Sequence, residues 1–248
     1  MIGMARALWL CSLLSAAALA AEPSPELMKR LADWADRTDP SAVATAVTLG
    51  TVSHERGTDG SLRHTDESVM RMTQGPDGRP ISEVISARRD GKDATEEARK
   101  QAEARAKSQK ASEKEGRGLR GAPTPFTSAD QPKYVFELLP PFPDDPAMLH
   151  LGFRPRQPGK RLFAGDAKVD PEKGAAVWMQ QRSSELPPFV DEFSMELDFR
   201  APSAHGPLLS AMRMKGMGGL PLFKKRFDVE IRFSDYQLAS APPEGAAR

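Results

Sequence analysis

The sequence lacks the means for covalent bracing: 248 residues hold one cysteine, Cys11, and it lies within an apolar N-terminal run. A lone cysteine cannot close an intramolecular disulfide, so burial must hold the fold together. An excess of either charge is missing as well. Setting aside Arg6 in the leader, the 35 basic residues fall level with the 34 acidic ones, which leaves no electrostatic footprint for nucleic acid. Metal-ligand spacing is absent, because His54, His64, His150 and His205 are far apart in the chain. Met212, Met214 and Met217 carry soft sulfurs, but the first two share one face of a strand, where core residues are expected anyway. No Gly-x-Ser-x-Gly elbow, Ser–His pairing motif or phosphate-cradling glycine loop occurs. The reading is therefore of a protein that is not an enzyme and needs no cofactor or metal.

A bilayer-spanning run is also lacking. The apolar stretch 7–19 is short of the roughly 20 residues that cross a membrane. It follows Arg6 and ends in Ala18-Leu19-Ala20, the small-x-small pattern of a signal peptide cut after residue 20 or 21. Leu10 rather than a small residue precedes Cys11, which argues against lipidation. Residues 1–20 are thus expected to be a leader, and the remainder a periplasmic or secreted protein.

What the chain does have is alternation. Phe193, Met195, Leu197 and Phe199 alternate with polar residues, and so do Phe227, Val229, Ile231 and Phe233, the period of strands with one dry face. Leu208 to Lys215 forms a further strand between them. Val47, Leu49 and Val52, then Val69, Met70 and Met72, then Ile81, Val84 and Ile85 make an earlier meander joined by Gly- and Asp-rich turns. Tyr134, Phe136 and Leu138, then Leu149, Leu151 and Phe153, then Phe163 to Met179 supply more strands. Ser24-Pro25 opens a short amphipathic helix on Leu27, Leu31 and Trp34. Residues 95–120 form a charged helical arm without a face to bury, followed by a proline-bearing return loop, and 238–248 a disordered tail. The fold class is mainly β (α+β): one domain over 22–237, a curved antiparallel sheet or half-open barrel of about ten strands around the N-terminal helix.

The dry faces supply the candidate ligand site. Its lining is expected to be Phe193, Met195, Leu197, Phe199, Met212, Met214, Phe227, Val229, Ile231 and Phe233, with Leu31 and Trp34 as cover. Adaptable methionines suit an apolar ligand. Two alternatives stay open: an envelope interaction module whose arm, 95–120, docks a protein, and an exported hydrolase built on carboxylates from distant strands.

Element order, the hairpin Gly165-Asp166-Ala167-Lys168-Val169-Asp170-Pro171-Glu172-Lys173-Gly174, the Leu186-Pro187 crossing and the closing Phe233-Ser234-Asp235-Tyr236 together resemble the periplasmic lipoprotein-carrier superfamily, LolA, LolB and RseB/MucB. The resemblance covers roughly 24–237. It implies a half-open barrel around helices, with an apolar cavity for a lipid or lipoprotein acyl chain, and no catalytic residues to transfer.

Overall fold

The computed structural model describes residues 21–39, 44–75, 80–111, 123–219 and 224–238. The expected leader, the 76–79 turn, the 112–120 end of the arm and the 239–248 tail lie outside them.

Helix α1 (Pro25–Arg37) starts where the sequence places it. Ser24 Oγ accepts from the Leu27 N–H at 3.2 Å, and Pro25 occupies the first turn, where no N–H is needed. Thr38 ends it, its hydroxyl donating to the Trp34 carbonyl at 2.8 Å. Eleven antiparallel strands follow: β1 (Ala44–Arg56), β2 (Leu62–Gln74), β3 (Pro80–Arg89), β4 (Lys92–Asp93), β5 (Tyr134–Leu138), β6 (Leu149–Pro155), β7 (Phe163–Asp170), β8 (Ala175–Ser183), β9 (Val190–Ala201), β10 (Leu208–Gly218) and β11 (Lys225–Leu238). The sheet is curved and unclosed. Its order is β4-β3-β2-β1-β11-β10-β9-β8-β7-β6-β5. Pairing the first long strand with the last is what closes an up-and-down barrel. Here that pairing is made, and the gap lies between β4 and β5.

The segment joining those two edges carries α2 (Thr95–Ala111), the charged arm. The sequence reading gave it no face to bury, and no described residue of α2 is buried, but the helix is not a free arm: it runs along β3. Thr95 Oγ1 accepts from the Ala87 N–H at 3.0 Å, and Arg99 Nε donates to the Val84 carbonyl at 3.1 Å. Those are edge groups of β3 that would otherwise be open to another strand. The return loop also does more than connect. Phe126 is fully buried against Phe136 and Phe153, a core residue hidden from pattern reading because no periodic neighbours flank it.

The β7–β8 turn fixes α1 to the sheet. Asp170 Oδ1 accepts from the Glu172 and Lys173 N–H groups, each at 3.0 Å. Desolvation pushes this carboxyl up, but those N–H groups and the Lys173 ammonium outweigh it and hold it below the usual carboxylate range. Gly174 closes the turn at φ +59°, and a Cβ there would meet the Cβ of Arg30. Only glycine combines that conformation with so close an approach.

Candidate functional site

Directly opposed residues in antiparallel strands share a face, so the register defines the two surfaces of the sheet. On the α1 side one continuous row reads Leu151, Ala167, Met179, Leu197, Met212, Ile231, Thr51, Ser68, Ala87, from β6 to β3. Burial changes abruptly along it. The first four side chains are 0% exposed, whereas Met212, Ile231, Thr51 and Ser68 are half-buried.

The twelve expected lining residues divide at the same boundary. Leu31, Trp34, Met195, Leu197 and Phe199 are buried in a packed core. Trp34 meets Phe199 edge to face at 5.2 Å and donates its indole N–H to the Pro207 carbonyl at 3.2 Å. Phe193, Met212, Met214, Phe227, Val229, Ile231 and Phe233 are only half-buried. Leu49 and Met70 continue the same apolar floor beyond Phe233. Phe227 can lie flat here because Gly216 opposes it: a Cβ at Gly216 would collide with its ring. Within the sealed part, buried Gln181 on β8 donates to the Pro123 carbonyl at 2.9 Å, while its Oε1 has no partner among the described residues.

The other face carries a feature the sequence reading missed. Its matching row reads Gln180, Glu196, Arg213, Glu230, Val52, Glu67, Arg88, Asp93, charges of alternating sign interrupted at Val52. Alternation in each strand was legible, but the register that stacks opposite charges across strands was not. An open trough of about 970 Å³ lies here, floored by Gly50, Val52 and Val69. Arg213 binds Asp198 at 3.0 Å and Glu196 at 3.3 Å, and Arg232 binds Glu230 at 2.8 Å. The Arg232 hydrogen bond holds the Glu230 carboxyl below its ordinary range, and the Thr95 hydroxyl does the same for Asp93. A general acid needs the opposite shift. Among the described residues no group of three or more His, Cys, Asp or Glu could hold a metal ion.

No family model matches the chain, and neither does any curated protein. Among solved structures it is similar to a DUF1329 family protein from Desulfovibrio piger, at 13% identity over 90% of this chain and 96% of that one, with a TM-score of 0.39. It is also similar to a LolA superfamily protein from Nitrosomonas europaea, at 10% identity over 90% and 96%, TM-score 0.38. A third, from Vibrio parahaemolyticus, is described as an outer membrane lipoprotein-sorting protein domain, at 10% identity over 88% and 94%, TM-score 0.38. At these identities the similarity concerns general architecture alone.

Proposed function

We propose that this is an exported, non-catalytic binding protein that holds an apolar chain, a lipid or a lipoprotein acyl group, on the α1-side floor of β10, β11, β1 and β2. The observation that carries this reading is the break in burial along one register row. Leu197 is fully enclosed, whereas its cross-strand neighbour Met212 and the next residue of the row, Ile231, are not. Half-exposed Met, Val, Ile and Phe side chains on a shared face form an adaptable apolar surface. The lining proposed is therefore narrower than the expected one: Phe193, Met212, Met214, Phe227, Val229, Ile231 and Phe233, with the five buried residues as scaffold.

Titration with a soluble fluorescent fatty acid tests it. Met214→Glu places a charge on the floor and should weaken binding tenfold or more, since desolvating an unpaired carboxylate costs several kcal/mol. Circular dichroism should show the fold intact. Wild-type affinity in that variant would remove the floor from consideration. A second reading, an envelope interaction module, is favoured by the trough of alternating charge on the opposite face. It predicts that Arg88→Glu with Arg213→Glu abolishes partner capture and leaves fatty acid binding unchanged.

A further inference from the structure

Strands that alternate in direction gather their turns at two ends. The end holding the β7–β8 turn and Pro207 is occupied by α1. The opposite end collects the β1–β2, β6–β7, β8–β9 and β10–β11 turns, and there Phe189 stands 67% exposed. Its backbone explains how it is held. The Val190 N–H donates to the Pro187 carbonyl at 3.1 Å, and Phe189 has φ +67°. With Pro188 before it, Phe189 occupies the third position of a type II turn, where glycine is the favoured residue. A bulky aromatic in that conformation is strained, and strain retained at an exposed tip points to function rather than to folding. The turn is also braced: the Gly219 N–H donates to the Phe189 carbonyl at 2.8 Å, tying two tips together.

Charge surrounds this tip. Lys160 and Arg161 lie in the β6–β7 turn, Arg182 near the end of β8, Lys224 just before β11 and Lys225 and Arg226 at its start, against Glu185, Asp191 and Glu192. Asp191 is matched by Lys224, and Lys225 by Glu55 on β1. Exposed Lys160, Arg182 and Arg226 have no carboxylate partner among the described residues. An exposed aromatic beside Leu186, ringed by uncommitted cations, matches a surface that is apolar beneath and anionic above.

We propose that the chain docks on an anionic phospholipid bilayer through this end, Phe189 entering the apolar layer and the surrounding Lys and Arg meeting the headgroup phosphates. Phe193 and Phe227 flank the same end of the apolar floor, so docking brings the floor's open end to the membrane. The proposal goes beyond the ligand reading and stands independently of it.

Vesicle co-flotation of the chain purified after export, its leader removed by the cell, tests the proposal. Vesicles of phosphatidylglycerol with phosphatidylethanolamine should bind it, phosphatidylcholine vesicles should bind it far less, and rising salt should release it. Phe189→Gly should keep or raise the melting temperature, because glycine relieves the turn, yet weaken vesicle binding about tenfold or more. It should leave soluble fatty acid binding unchanged, which separates this test from that of the floor. Reversing Lys160, Arg182 and Arg226 to Glu should abolish the preference for anionic vesicles. Undiminished binding by Phe189→Gly, or a wild-type chain indifferent to phosphatidylglycerol, overturns the proposal.

Discussion

The β6–β9 half of the sheet and the β10–β2 half follow the same two-residue alternation, yet the first is sealed along its length and the second only near the β9–β10 turn, where Leu209 and Val47 are buried. The difference is one of reach. A helix of 13 residues is about 20 Å long, and strands lie about 4.8 Å apart, so α1 covers roughly four of them. Trp34, Leu31 and Leu27 fill that span, with Phe126 from the return loop beside them. Beyond β9 Leu209 and Val47 are enclosed on this face, but the Met and Phe side chains towards the other end of the strands stay half-exposed. The apolar pattern in a strand therefore announces a face that wants burial. Which strands obtain it depends on the length of the cover.

The largest effect that could break this comparison is a matched pair of truncations on one row. Leu197→Ala should cost about 2–5 kcal/mol, because it opens a cavity in a closed core. Ile231→Ala, half-buried on the same face, should cost about 1 kcal/mol. Urea unfolding of the two variants measures the ratio. Equal losses would mean that the β10–β2 floor is as tightly packed as the core, and the open half would not exist.

The α1 boundaries, the β9, β10 and β11 alternations and the hairpin at Asp170 were legible because each rests on local signals: a cap, a period, a turn residue. Small departures followed where local signals ran out. β10 continues through Gly218, where a corner at Met217 was expected, and Lys92–Asp93 adds a brief eleventh strand after Asp90-Gly91. The β1–β11 pairing was not legible, since it joins residues nearly two hundred apart. With it were hidden the alternating-charge row and the trough, which exist only once β10, β11, β1 and β2 are side by side. The twelve site residues were chosen by pattern alone, and pattern does not distinguish Leu197 under a helix from Ile231 beside it. Phe189 escaped because a lone aromatic after two prolines reads as a crossing, and its left-handed backbone shows only in the structure.

A smaller effect tests how the open half keeps its outer edge from pairing with another chain. Thr95 and Arg99 occupy backbone groups of β3 at Ala87 and Val84, beside exposed Ile81 and Ile85. Thr95→Val with Arg99→Ala should lower stability by about 1–2 kcal/mol, the sum of two modest hydrogen bonds. Freeing a strand edge that carries exposed isoleucines should also shift the elution volume towards dimers at high concentration. A variant that stays monomeric would show that the rest of α2 shields the edge without those two side chains.

At neutral pH the least effect comes from the tyrosines, of which the chain has two, one on β5 beside the sealed half and one on β11 in the open half. Tyr134 lies under the sealed half, and Tyr236 on β11 donates its hydroxyl to the Leu209 carbonyl at 2.7 Å. Burial pushes both phenols above their ordinary range, Tyr236 strongly. A raised folded pKa means that the native state keeps a proton the unfolded chain releases near pH 10. The stabilisation is then fully present below about pH 10 and is lost as pH rises from there through the folded value. The urea midpoint of the wild type should hold to about pH 9.5 and fall beyond it. Tyr236→Phe should be modestly less stable at neutral pH, for want of one hydrogen bond, and lose less between pH 9.5 and 11. If the variant instead tracks the wild type at every pH, Tyr236 ionises as it would in water. The β10–β11 junction would then be looser than its hydrogen bond indicates, and the enclosure of Leu209 on β10 would not extend to β11.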